Sequence, residues 1–293
     1  MKNKLSLFAV PYVGWMSIFV VAPIIIMVVY AFSTAAGDFT LENFARMGTY
    51  TAVFTRSFKL AIIATLIALL IGYPVSYMLS KEGPQVQRIA MVLIMLPMWM
   101  NFLLRTYSWM SILENNGLLN QLFQQIGLID LYNQIAMHFA SDPAAYVPID
   151  HFQMIGTQGA VVLGMVYNYL PFMILPIYSV LVKLDHSLIE AARDLGASSV
   201  QVFRKVILPL SFPGVLSGIT MVFVPSVSTF AISRLLGGGT QMMLGDLIEQ
   251  QFLGGAYNPQ LGAAIALVMM AIVVVCMLVM NRFGDGEEQA VML

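Results

Sequence analysis

Six apolar stretches, at 8–32, 58–79, 89–113, 159–182, 210–235 and 261–283, constrain this chain more than any other feature. Each reaches the roughly 20 residues that a helix needs to cross a bilayer. The 293 residues are 59% hydrophobic and 10% charged, with a mean hydropathy of +0.82. A soluble core of this size cannot hide that much apolar surface, so the bilayer acts as solvent. The expectation is an all-α polytopic membrane protein, a single transmembrane domain over 1–293. Met1-Lys2-Asn3-Lys4 followed by apolar residues looks like a signal peptide. The run continues to about Phe32 with no small-residue cleavage pattern, so it reads as a retained first span. Pro23, Pro74, Pro97, Pro171, Pro176 and Pro225 mark expected kinks.

Lysine and arginine in short loops set orientation. Lys2, Lys4, Lys81, Arg88, Lys183, Arg193, Arg204, Lys205 and Arg282 fall on one side, which is therefore read as cytoplasmic, with both termini. Segment 114–158 holds Glu114, Asp130, Asp142 and Asp150 but no lysine or arginine, and belongs outside. Within it, Leu118, Leu119, Leu122, Phe123 and Ile126 space as an amphipathic helix at the outer interface. Residues 141–157, with Pro143 and Pro148, read as an irregular loop.

Several chemistries are excluded. Net charge −1 gives no case for nucleic acid, and the single Cys276 supplies neither a disulfide nor a cysteine metal site. No G-x-x-x-x-G-K-[ST] or H-E-x-x-H occurs, so no P-loop ATP site or zincin site is present in the sequence. His138, Asp142 and His151 read as solvated loop residues, and His186 as a surface residue. The 22 methionines read as packing, and Gly237-Gly238-Gly239 as a hinge. No buried nucleophile–base pair suggests an intramembrane hydrolase.

Between the fourth and fifth runs lies a polar passage, "EAARDLGASSVQVFRKVILPL", residues 190–210. Ser187 and Glu190 fit a capping box opening a helix from about Leu188 to Leu195. Gly196 is placed to stop it, Ser198 and Gln201 to cap a second helix, and Pro209 to end that one. Leu188, Ala191, Ala192 and Leu195 make one apolar stripe, with Glu190, Arg193 and Asp194 off it. A helix of about eight residues is marginal alone. It needs a surface, either its own membrane domain or another protein.

The passage closely resembles the EAA loop, E-A-A-x(3)-G-x(9)-I-x-L-P, of membrane permease subunits of bacterial ABC importers. Glu190, Ala191, Ala192, Gly196, Ile207, Leu208 and Pro209 match in type, with Ile207 one residue later than the pattern. The resemblance implies a type I importer permease fold of six spans, with no catalysis in this chain. It implies that Glu190, Ala191, Ala192, Asp194, Gly196 and Ala197 form a coupling helix seated in an ATPase groove. ATP and magnesium would lie on two separate ATP-binding cassette subunits, which accounts for the missing P-loop. A homologous second permease subunit and a periplasmic substrate-binding protein complete the implied assembly.

The similarity is nearest to the permeases of spermidine/putrescine importers. It runs through "IGYPVSYMLS" (71–80), "LPMWMNFLLRTYSW" (96–109), "NGLLNQLFQQIGLID" (116–130) and "YLPFMILPIYSVLVKLD" (169–185). Residues 133–158 exceed the length that family implies. A polyamine needs aromatic faces and carboxylates, cation–π contacts contributing about 0.5–2 kcal/mol each. Trp99, Asn101, Arg105, Tyr107, Tyr167, Tyr169 and Phe172 are candidate pathway residues, with Glu114, Asp246 and Glu249 near the outer mouth. The aromatics also suit ordinary packing and interfacial belts. Arg105 and Arg234 oppose a cationic solute and would suit an anion, unless paired. Pairing of Arg105 with Glu114 or an acid in 246–249 is the expectation. Ferric iron, sulfate or an amino-acid-like solute remain alternative cargoes. A secondary carrier or channel is the alternative of a different class, although no coupling residues or inverted repeat are detected.

Overall fold

The computed structural model describes residues 11–139 and 146–291. Lys2, Lys4, the first residues of the opening run, Asp142 and Pro143 lie outside the described residues. In chain order the helices are α1 (Pro11–Ala31), α2 (Glu42–Arg46), α3 (Thr51–Ser80), α4 (Pro84–Trp99), α5 (Phe102–Leu113), α6 (Leu118–Gln125) and α7 (Leu128–Phe139). There follow α8 (Gln158–Leu181), α9 (His186–Asp194), α10 (Ser199–Val202), α11 (Leu208–Ser228), α12 (Ala231–Leu236), α13 (Leu244–Leu253) and α14 (Pro259–Val291). Among the described residues the only β pairing is an isolated Ser33–Phe39 bridge. Five helical stretches are long and apolar enough to span a membrane, and α4 with the helix beginning at Phe102 makes a sixth, bent by 91°.

The third apolar run, expected as one span kinked at Pro97, is therefore two helices, with the break beyond Pro97 at Met100–Asn101. Met100 and Asn101 are extended, and the Asn101 carboxamide oxygen accepts from the N–H groups of Leu103 (2.9 Å) and Leu104 (3.3 Å). A side chain that caps α5 locally replaces the backbone partners a continuous helix would have supplied. Hydropathy averages over such a residue, so the run looked unbroken.

The fifth run differs at both ends. α10 continues into α11 through a π turn at Phe203–Ile207, where the Leu208 N–H reaches the Phe203 carbonyl. Pro209, expected to stop the helix, instead sits in the first turn of α11. The first span repeats the device, with a π turn at Ser17–Val21 immediately before Ala22-Pro23. Proline has no N–H and crowds the preceding turn; widening that turn lets the helix pass through it. At its other end α11 stops at Ser228, and Thr229 and Phe230 separate it from the short α12.

α3, α8 and α11 pack together as the central bundle, while α1 lies against α14 at its flank. Small residues bring the backbones close. Met173 of α8 sits between Gly72 of α3 and Gly218 of α11; a Cβ at either glycine would meet its side chain at 2.9 or 2.8 Å. Gly214 lies equally close to the Pro176 carbonyl. Buried polar groups find partners within the bundle: Ser76 Oγ donates to the Ile174 carbonyl (3.1 Å), and the Tyr73 hydroxyl meets Ser211 Oγ (2.8 Å).

α6 and α7 form a hairpin turning at Gly127, whose φ is +72°. The stripe expected on α6 divides. Leu118, Leu122 and Ile126 are exposed, whereas Leu119 packs on the core and Phe123 meets Phe152 edge-on. The buried residue is Asn120, which exchanges hydrogen bonds with both backbone groups of Phe152 (3.0 Å each). Asn133 does the same for Ile149. Two asparagines thus strap residues 146–157, which carry no regular secondary structure, as expected.

Candidate functional site

Two places carry the candidate residues: the loop at α9–α10 and the region around the α11–α12 break. α9 begins two residues earlier than the capping-box expectation. Its cap is Asp185, whose Oδ1 accepts from the Ser187 N–H at 2.9 Å, so Ser187 and Glu190 do not form the box. Those hydrogen bonds from Ser187 hold the Asp185 carboxyl below its ordinary value. The aspartate two residues before a serine was a readable signal that the better-known S-x-x-E pattern overshadowed.

The end of α9 matches the expectation. Gly196 has φ +81°, its N–H donates to the Arg193 carbonyl (2.8 Å), and the Ala197 N–H reaches the Ala192 carbonyl (3.1 Å). This is a Schellman closure, available to glycine without the Cβ penalty of a left-handed residue. Ser198 and Gln201 then form the expected reciprocal capping box for α10.

The predicted apolar stripe is corrected by the packing. Ile189, Ala192 and Ala197 turn toward the membrane bundle, and Ile189 had not been singled out. Leu188, Ala191 and Leu195 face outward, Leu195 being 89% exposed, alongside the exposed Glu190, Arg193 and Asp194. Below the loop, Val202 and Ile207 are buried, and the Phe203 ring stands edge-on to Tyr73 and Tyr77 of α3. The short helix therefore uses one side to grip its own bundle and leaves the other free.

The pathway candidates are not gathered into one channel. Trp99 is 76% exposed at the end of α4, and Tyr107 is exposed on α5. Tyr167 stacks edge-on with Trp109, centroids 5.3 Å apart, and borders a groove of about 700 Å³ between α3 and α8 with Lys59 at its rim. Phe172 packs into the central core. Asn101 is the helix cap described above.

Arg105 is buried, 8% exposed, and its Nε and Nη1 are enclosed without a hydrogen-bond partner among the described residues. The Tyr169 hydroxyl donates to the Pro225 carbonyl (3.4 Å). The expected pairing of Arg105 with Glu114 or residues 246–249 does not occur. Glu249 is the ion-pair partner of Arg234, with Nη1 to Oε1 at 2.9 Å. Asp246 is buried rather than at a mouth: its carboxylate accepts from the Ser233 hydroxyl and from the Met243 N–H (3.1 Å). Burial pushes the Asp246 carboxyl up, and those hydrogen bonds oppose the shift. Gly245 is seated against the Ser228 and Thr229 carbonyls, a contact only a residue without Cβ permits. Ser233 and Thr229 were missed because each is one hydroxyl in an apolar run. No cluster of three potential metal ligands exists among the described residues.

The described residues form a helical bundle with up to six candidate membrane spans, and comparison with known proteins gives its class as a transport subunit. Residues 64–286 match the family described as "Binding-protein-dependent transport system inner membrane component". The chain belongs to that family, the membrane permeases of ABC importers. It is 35% identical to the spermidine/putrescine transport system permease protein PotB of Escherichia coli (strain K12), covering 93% of this chain and 95% of that one. The PotB proteins of Haemophilus influenzae (35%; 93% of each chain) and Salmonella typhimurium strain SL1344 (34%; 93% and 91%) are similar. Among solved structures, a bacterial ABC transporter that imports the acidic polysaccharide alginate superposes with TM-score 0.72 at 18% identity, covering 97% and 96% of the two chains. The MetNI methionine ABC transporter gives TM-score 0.54 at 18% identity, over 84% and 98%. These last two speak for the fold alone.

Proposed function

We propose that this chain is the permease subunit of an ATP-driven polyamine importer, forming the translocation pathway with a homologous second permease subunit. A periplasmic binding protein delivers spermidine or putrescine, and two separate ATPase subunits bind ATP and magnesium. The observation that carries the reading is the outward face of α9: Leu188, Ala191 and Leu195 stand free, rimmed by Glu190 and Asp194, on a helix closed at Gly196. An apolar centre with a charged rim is what a protein contact requires. The polyamine assignment rests on the likeness to the PotB proteins over nearly the whole chain.

In this reading, closure of the ATPases on ATP moves α9, and hydrolysis resets it. Glu190, Ala191, Ala192, Asp194, Gly196 and Ala197 serve the coupling. Trp99, Asn101, Arg105, Tyr107, Tyr167, Tyr169, Phe172, Asp246 and Glu249 remain pathway candidates. The basic residues Lys81, Arg88, Lys183, Arg193, Arg204 and Lys205 support a cytoplasmic side for this loop and both termini. Arg46, Arg56 and Lys59, at the opposite end of the bundle, are fewer. Uptake of labelled spermidine and putrescine into proteoliposomes holding the full complex tests the proposal. Uptake that requires ATP and the binding protein supports it; uptake without ATP would indicate a carrier, and sulfate or ferric uptake alone another cargo.

A further inference from the structure

The groove between α3 and α8 is ordered along its length from charge to hydrocarbon. The two helices run side by side in the same direction: Leu60 and Ala64 share a core cluster with Ala160 and Met165, and Gly72 lies against Met173. The groove of about 700 Å³ between them is walled by Ile63, Ile67 and Ile71 of α3 and by Leu163, Val166 and Leu170 of α8. Each series repeats every three or four residues and so follows one face of its helix. Lys59 and Gln158 stand together toward the end where both helices begin. No carboxylate lines the groove, and the exposed Lys59 has no hydrogen bond or ion pair among the described residues. Arg56, one turn earlier on α3, donates to the Thr240 carbonyl (3.2 Å) and adds a second positive charge at that end. A lysine in an apolar run is costly unless its ammonium reaches a partner or the interface.

The dimensions select the occupant. The rise along α3 from Lys59 to Ile71 is about 18 Å, close to the roughly 15 Å of one leaflet's hydrocarbon. A helix of that length, about 10 Å across, fills roughly 1,400 Å³, twice the groove, whereas a single acyl chain is far thinner. We propose that this groove holds an acyl chain of an anionic phospholipid, with the Lys59 ammonium on its phosphate. Burying the chain gains little, because lipid tails are as apolar as the groove walls. Selectivity therefore falls on the headgroup, where ammonium and phosphate make a charge-assisted hydrogen bond. A zwitterionic headgroup would set its own cation against Lys59 and Arg56. The site is independent of the transported cargo.

The test titrates the full chain in mild detergent with phosphatidylglycerol or phosphatidylcholine of identical acyl chains and counts retained lipid by native mass spectrometry. Wild type should retain phosphatidylglycerol about tenfold better, the worth of one hydrogen bond to a charged group. Lys59→Gln should abolish that preference and Lys59→Arg should keep it. Val166→Trp, which fills the slot, should lower retained phosphatidylglycerol to a similar degree. If that variant does not fold, Ile71→Trp at the exposed far end of the groove replaces it. Equal retention of the two lipids by wild type overturns the proposal, as does a preference that survives Lys59→Gln. Retention untouched by the tryptophan also overturns it, because the lipid then sits elsewhere. Excess inorganic phosphate should leave most of the lipid bound; displacement by phosphate would mean a headgroup contact without the groove and overturns the assignment. The competing occupant is a helix of another chain. With the second permease subunit co-expressed, a Val166→Trp variant that loses that subunit would make the groove a subunit seat and overturn the proposal, and unchanged co-purification supports it.

Discussion

The ring of Phe203 meets Tyr77 edge-on, centroids 5.4 Å apart with planes at 72°, and meets Tyr73 at 5.9 Å and 87°. This ties the π turn after the proposed coupling loop to the C-terminal half of α3. It adds a joint of aromatic edges to the direct contacts that Ile189, Ala192 and Ala197 make with the bundle. Phe203→Ala should lose two such pairs, each contributing about 0.5–1.5 kcal/mol. The expected outcome is a lower melting temperature and ATP hydrolysis that persists while uptake per ATP falls severalfold. Paired ATPase and uptake assays check it.

Gly196 adopts φ +81° with open space where a Cβ would stand. The penalty for substitution there is conformational rather than steric, about 1–2 kcal/mol for a residue forced left-handed. Gly196→Val should separate hydrolysis from uptake, whereas Gly196→Asn should retain most coupling, asparagine tolerating that region better. Equal behaviour of the two variants would contradict the assignment.

The cap of α9 makes a pH prediction. Asp185 titrates below its ordinary value, so its contribution is present above the unfolded value of about 3.9. That contribution is lost as pH falls through the still lower folded value. Coupling should therefore show no Asp185 step between about pH 5 and 8. Asp185→Asn should keep the cap and Asp185→Ala should fray the first turn. Amide exchange at Ser187 and Leu188 is the measurement.

Gly214 packs against the Pro176 carbonyl, which a Cβ would approach to 2.9 Å, and against Ile177 Cα at 3.1 Å. Both neighbours are backbone and cannot rotate away. Gly214→Ala should destabilise by about 1–3 kcal/mol through overpacking. Gly83→Ala, with nothing within 4 Å, should melt within error of wild type. Thermal unfolding in detergent compares the two.

The six apolar runs, the Gly196 closure and the Ser198–Gln201 box were all readable, because each depends on residues within a few positions of one another. Hydropathy, left-handed conformation and capping are local properties, and the EAA spacing carried the family. What the sequence could not decide were matters of partner choice across the fold. Proline meant kink or stop until the widened turns before Pro23 and Pro209 showed the helix passing through. Glu114, Asp246 and Glu249 were all candidates to answer Arg105. Only the tertiary structure gave Glu249 to Arg234, gave Asp246 to Ser233, and left Arg105 enclosed without a counter-charge among the described residues. The physical reason is that a buried charge is satisfied by whatever the packed helices bring within about 3 Å, and that distance is set by crossing helices rather than by the order of residues along them.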